Sequence, residues 1–199
     1  MSKIYNWVVC PCIEKIYLDI ISKLQNDDIF IEIGTLHGDS AIFAAQSILY
    51  SNKDIRFVTI DTACGSPNAV LGDVNMYEHV YRPNGLTYAG PIADHIFKSG
   101  FRDRIIQIVG TSYQSSKLFC DNSIGAVFLD GDHSKDGIAL DINSWYRKIK
   151  NGGILSGHDY SYPDVFDVVN KYFIGDKLII YKLPIEVTDN LCWLVYKNG

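Results

Sequence analysis

Three features of the 199-residue sequence predict an α/β fold built on a parallel sheet. Short β-rich runs alternate with amphipathic stretches along most of the chain. Each of the first five runs stays apolar almost to its C-terminal end, the pattern of a strand covered by helices on both faces. Polar and ionisable residues then collect at those ends, where an open parallel sheet binds its ligands.

The first strand is expected in DIFIEIG, Asp28 to Gly34, and the second in IRFVTID, Ile55 to Asp61. RIIQIVG (Arg104 to Gly110), GAVFLDG (Gly125 to Gly131) and GGILSGHD (Gly152 to Asp159) supply the third to fifth. Between the last two, Ile138, Ile142, Trp145 and Ile149 recur at helical spacing as a core stripe, and Gly152 and Gly153 are read as the stop. KLIIYKLP and NLCWLVYKNG, joined by a short polar loop, read as two strands paired antiparallel.

Composition narrows the function classes. With 47% hydrophobic and 21% charged residues, residues 1–199 suit one globular domain of ordinary composition. A net charge of −5 without a Lys/Arg cluster gives no electrostatic footprint for nucleic acid. No apolar run approaches a membrane span, and the start MSKIYNWVVCPC lacks a signal-peptide core, so a cytoplasmic location is expected. The five cysteines are odd in number and scattered, which favours reduced thiols. Cys10-Pro11-Cys12 offers two sulfurs for a metal or another chain, but no second pair stands at zinc spacing, so free thiols are the preferred reading.

Five strand ends carry the candidate site: Glu32 and Gly34; Asp61 and Thr62; Gly110, Thr111 and Ser112; Asp130 to His133; His158 and Asp159. One acid at a strand end is usually a cap or turn residue. Independent caps do not require five in a row. In EIGTLHGDS the turn between strand and helix carries Gly34 and Gly38, but Leu36 and Asp39 occupy the other glycine positions of a dinucleotide fingerprint. A pyrophosphate is therefore poorly served. Glu32 disfavours an anion, and Asp61 is placed to accept hydrogen bonds from ribose hydroxyls. Together these residues suggest a nucleoside that carries positive charge.

The ordered set EIGTLHG, VTIDT, FLDGDHSKDGIALDINSW, KNGGILSGHDY and YPDVFDVVNKYF resembles the class I S-adenosylmethionine-dependent methyltransferases. It is most similar to the small metal-dependent O-methyltransferases grouped with macrocin and mycinamicin O-methyltransferases and with cephalosporin hydroxylase-like proteins. That resemblance covers about Ile29 to Phe173. It implies a Rossmann-like doubly wound, mostly parallel seven-stranded sheet with an antiparallel C-terminal strand and helices on both faces. Glu32, Gly34, Thr35 and Gly38 would form the cofactor turn, with Ser40 in reach of the methionine end of the cofactor. Asp61 and Thr62 would serve the ribose, Ser112 the adenine, and Thr111 stands where many relatives carry an acid. Asp130 would border the cofactor as well.

The same resemblance implies that Asp130 and Asp159 ligate a divalent metal, and that His133, three residues after the first ligand, acts as base. His158 stands where some relatives carry another carboxylate. Magnesium prefers oxygen ligands, so His158 tilts the choice toward Mn²⁺, Fe²⁺ or another transition metal. Asp132 or Tyr160 as the completing ligand, and a site without metal, are the alternatives. Asp136 is expected to face solvent in a first helical turn, and His37 to lie at the surface.

The implied reaction is O-methylation of a small-molecule hydroxyl, with a homodimer expected from relatives. The stretch from Thr62 to Pro91 is long for a connection and is expected to be a lid or acceptor-binding insertion, with Tyr77, Tyr81, Arg82 and Tyr88 in it. A non-catalytic nucleoside-binding protein of the same fold is the competing class, and an NAD-dependent oxidoreductase ranks below it.

Overall fold

The computed structural model describes residues 9–64, 70–71, 74–75, 89–182 and 191–198. Tyr77, Tyr81, Arg82 and Tyr88 of the expected insertion lie outside them. Among the described residues there are six α-helices: α1 (Pro11–Lys23), α2 (Asp39–Ser51), α3 (Ala89–Ser99), α4 (Ser112–Ser116), α5 (Lys135–Trp145) and α6 (Pro163–Tyr172). The strands are β1 (Ile29–Ile33), β2 (Arg56–Asp61), β3 (Val70–Leu71), β4 (Val74–Asn75), β5 (Ile105–Val109), β6 (Ile124–Leu129), β7 (Ile149–Gly157), β8 (Ile179–Tyr181) and β9 (Cys192–Tyr196).

Seven strands make one sheet in the order β5-β2-β1-β6-β7-β9-β8, while β3 and β4 form a separate short hairpin. The first five in that order are parallel; β9 runs antiparallel to both β7 and β8. The sheet is thus the seven-stranded, mostly parallel one expected, with the antiparallel pair at its C-terminal end. Strand order reverses between β1 and β6, so their carboxyl ends form the crevice where such sheets take a ligand.

Period-two alternation sorts the side chains into two layers. Phe30, Phe57, Ala126 and Phe128 face α1 and α2, where Tyr17 packs edge-on against Phe30 and Phe128. Ile31, Ile33, Val127 and Leu129 face α5 and α6, where the expected stripe Ile138, Ile142, Trp145 and Ile149 is fully buried. Trp145 and Trp193, both at 0% exposure, are the two largest side chains in that second layer. Burying a residue of this size stabilises by roughly 1.5–3 kcal/mol.

Two local expectations give way to tertiary context. Gly152 and Gly153 do not end a helix but sit inside β7, which starts three residues earlier at Ile149. β7 shifts register against β6 between Ile124 and Ala126, and a Cβ on Gly153 would come within 2.8 Å of the Gly125 carbonyl oxygen. β5 is not covered on both faces: it is the edge strand, and Ile106 and Val109 are about half exposed.

Candidate functional site

The strand ends are locked to one another by a chain of backbone hydrogen bonds. Asp130 N–H donates to Ile33 O, Gly34 N–H to Ile60 O, Gly110 N–H to Asp61 O and His158 N–H to Leu129 O, at 2.8 to 3.0 Å. The polar residues that follow each strand therefore share one rim.

On that rim Gly34 has φ +92°, and a Cβ there would lie 2.0 Å from the Asp130 carbonyl oxygen. Only glycine lets the β1–α2 turn touch the end of β6. Gly38, with φ +94°, opens α2 against Ile92 and Ile96 of α3. The turn between them is held from below by Asp61. Its Oδ2 accepts from Thr35 N–H at 2.7 Å and Leu36 N–H at 3.1 Å, and its Oδ1 from Ala63 N–H at 2.7 Å. Leu36 takes φ +47°, a left-handed conformation that these bonds help to pay for. Thr62, next along, is exposed.

Glu32 lies where it was expected in sequence but is more enclosed than a strand-end acid need be. Its carboxylate is 1% exposed and faces the α1 layer, accepting from Tyr17 O–H and Thr59 O–H at 2.7 Å each, with Ser40 as a further hydrogen-bond partner. Thr35 and Thr59 hydroxyls are bonded side by side behind it. Burial pushes the Glu32 pKa up to about 7, against the pull of these three donors. Tyr17 and Thr59 carry no sequence signal for this role: their meeting with Glu32 depends on how α1 and β2 pack.

The second half of the rim is an acid–histidine cluster. Candidate ligand atoms of Asp130, His133 and Asp159 all lie within 4.8 Å of one another. His133 Nε2 stands 3.5 Å from Asp130 Oδ1 and 3.0 Å from Asp159 Oδ2; His158 Nδ1 stands 3.6 and 3.3 Å from the same two oxygens. His133 Nε2 is buried, yet neither of its two approaches is aligned as a hydrogen bond. Burial works against a charged His133 ring, but the two carboxylates outweigh it and raise its pKa to about 10. His158 is raised in the same way, and Asp159 is held well below the usual carboxylate range despite its burial. Asp159 has φ +54°, so the chain accepts a strained backbone to aim this acid at the cluster.

The remaining expected residues divide. Asp132 accepts from Ser134 N–H at 2.9 Å and shapes the turn into α5, whose cap is Ser134; Asp136 is exposed in the first turn as expected. Tyr160 is buried and bonded to Asn170 rather than to the cluster. Thr111 caps α4. Ser112 donates to Asp141 Oδ1 at 2.5 Å and accepts from Trp145 Nε1 at 2.8 Å, a bridge between α4 and α5 that the sequence did not announce. His37, expected at the surface, is half-buried, and burial lowers its pKa.

A family of methyltransferase domains matches residues 31–160, which span the glycine turn after β1, the acid–histidine cluster and the strands between them. The chain belongs to this methyltransferase family. Its fold is that of the class I, S-adenosylmethionine-dependent methyltransferases, and it resembles the small O-methyltransferases among them. An uncharacterised protein of Acanthamoeba polyphaga mimivirus is 27% identical over 160 residues, so that the match spans 77% of this chain and 63% of the relative's own length. Among solved structures, the O-methyltransferase NovP superposes with a TM-score of 0.67 at 20% identity, covering 94% of this chain and 78% of NovP. An O-methyltransferase from Bacillus cereus in complex with SAH gives 0.65 at 16% identity, with 97% and 84% covered. An rRNA methylase from Streptococcus thermophilus gives 0.65 at 14%, with 97% and 100% covered. The same fold thus serves more than one class of acceptor in these relatives.

Proposed function

We propose that this methyltransferase moves the S-adenosylmethionine methyl group to a hydroxyl of a small molecule, with His133 as general base and a divalent cation held by Asp130 and Asp159. The observation that carries the reading is His133 Nε2: buried, 3.0 and 3.5 Å from two carboxylates, and aligned to neither.

The donor set suits a divalent cation, because carboxylate oxygens of Asp130 and Asp159 come together and His158 Nδ1 stands 3.6 and 3.3 Å from them, which leaves His133 free to act as base. The His158 nitrogen favours Mn²⁺ or Fe²⁺ over Mg²⁺. When bound, the cation would orient the acceptor oxygen, lower its pKa and offset the carboxylate charge that otherwise keeps His133 protonated. His133 takes the hydroxyl proton at Nε2 as the oxygen attacks the methyl carbon and the carbon–sulfur bond breaks, its electron pair leaving with S-adenosylhomocysteine. Tyr162, whose ring centroid is 5.7 Å from that of His133, limits how far the ring swings.

Gly34, Thr35, Gly38 and Ser40 are the residues assigned to the methionine end of the cofactor, Asp61 and Thr62 to the ribose, and Thr111 and Ser112 to the adenine. Asp61 serves in this scheme by fixing the turn as well as by facing the sugar. Holding sulfur, methyl carbon and oxygen in line supplies the rest of the rate.

The test is transfer of a labelled methyl group to a panel of small hydroxyl acceptors. His133→Ala and Asp130→Asn should each abolish transfer while calorimetric binding of S-adenosylmethionine persists. Full transfer by His133→Ala removes the base, and tight NAD binding with no response to S-adenosylmethionine removes the whole reading.

A further inference from the structure

A second cluster of candidate ligand groups lies beside the acids and shares only the His158 ring with them. Cys10 and Cys12 stand at the start of α1, Cys10 as the residue before the helix and Cys12 within its first turn, with Pro11 between them. Their sulfurs are 2.8 Å apart. A ring nitrogen of His158, delivered from the far end of the chain at the close of β7, lies within 4.8 Å of both. His158 Nδ1 faces Asp130 and Asp159, whereas Nε2 is buried with no hydrogen-bond partner.

The geometry points to a thiolate–imidazole cation site formed by Cys10, Cys12 and His158, suited to Zn²⁺ and separate from the oxygen-lined pair of Asp130 and Asp159. Soft sulfur with imidazole is the donor chemistry that selects zinc among the divalent ions. The N-terminus of a 13-residue helix supplies partial positive charge, but the hydrogen bond to Cys12 and burial push the Cys10 thiol up to about 12, so it is the ion that must displace the thiol protons. Cys12 is fully buried and Cys10 half-buried, so the sulfurs lie at the edge of a dry region, and Cys192 of β9 packs against Cys12 behind them. A buried ring nitrogen with no partner is left without the hydrogen bond it would have in water. An ion at the two sulfurs would satisfy it. The arrangement also accounts for a histidine at position 158, where a hard ion would be better served by a carboxylate: the ring is shared with the sulfur side. Such a site would clamp the start of α1 to the rim of the methyl-transfer site.

The test uses the reduced full-length protein loaded with Co²⁺ as a spectroscopic substitute for Zn²⁺, with metal content measured in parallel. Wild type should show the near-ultraviolet thiolate-to-cobalt charge-transfer absorption and hold about one Zn²⁺ per chain through the sulfurs. Cys10→Ser should lose both, and Asp130→Asn should keep both, which separates this site from the oxygen-lined one whether or not the methyl-transfer reading holds. Because Cys12 is buried, Cys12→Ser is compared only if its circular dichroism matches wild type; Cys10→Ser carries the test otherwise. Absence of the sulfur-to-cobalt band in reduced wild type overturns the proposal, as does its survival in Cys10→Ser. A Cys10–Cys12 disulfide whose reduction yields no metal uptake overturns it too.

Discussion

Gly34 and Asp130 are packed so closely that a Cβ at position 34 would fall 2.0 Å from the Asp130 carbonyl oxygen. This one approach joins the glycine turn after β1 to the acid that begins the cluster after β6. Gly34→Ala is therefore expected to displace the turn and strain a φ of +92° that alanine avoids. The cost should be on the order of 1–3 kcal/mol from the backbone alone, with the clash added. Thermal unfolding and S-adenosylmethionine calorimetry would read both effects; an unchanged affinity would separate the turn from the cofactor.

Asp61 accepts three backbone N–H groups of the two loops that flank it. Asp61→Ala leaves those donors without their partner, at about 1–3 kcal/mol for a buried group and less for those that water reaches. Cofactor affinity should fall by about tenfold or more, since 1.4 kcal/mol is a factor of ten. Asp61→Asn, which keeps one acceptor oxygen, should fall between the two. Equal affinity in all three proteins would deny the turn-holding role.

Glu32 links stability to pH in an unusual direction for an acid. Its pKa rises on folding from 4.5 to about 7 because burial disfavours the charge. In that window the folded state binds more protons than the unfolded one, so stability declines as pH rises from about 4.5 to about 7. The decline attributable to this group is about 3 kcal/mol at most. Glu32→Gln should flatten it in denaturant titrations run across the range; an identical slope in the variant would assign the decline elsewhere.

His133 acts at higher pH. Its pKa is raised from 6.5 to about 10 by Asp130 and Asp159, so its ion pairs stabilise the fold fully below about 6.5, and that contribution is lost as pH climbs toward 10. His133→Gln should remove the loss between those values without altering the Glu32 window. Chemical-denaturation curves at pH 6 and pH 9 would distinguish the two groups.

Chelation probes the oxygen-lined pair. EDTA treatment followed by gel filtration should reduce methyl transfer by about 10²-fold or more, restored best by Mn²⁺ or Fe²⁺. Activity that survives chelation would leave His133 to act as base without a metal.

Much of the fold could be read from the chain because it rests on local patterns. Apolar runs of strand length, the stripe from Ile138 to Ile149 and the turn glycines act through period and backbone freedom, which neighbouring residues determine. The resemblance of DGDH and GHDY to methyltransferase motifs added the candidate site, and Asp130, His133 and Asp159 do meet. Gly152 and Gly153 misled, because a glycine pair marks a helix stop and a strand irregularity equally well. Register against β6 decided between them.

The sequence by itself determined which segments are strands and that polar residues gather at their ends. Only the tertiary structure decided which ends are neighbours and what each side chain meets there. Crossovers place β6 beside β1 and β7 beside β6, which brings Asp159 to Asp130 across 29 residues and Asp61 under the turn of Thr35. Packing of α1 closes Tyr17 over Glu32 and sets Cys10 and Cys12 beside His158. Such contacts join residues up to 148 positions apart, and no local period encodes them. They follow from the layers burying their apolar faces against one sheet.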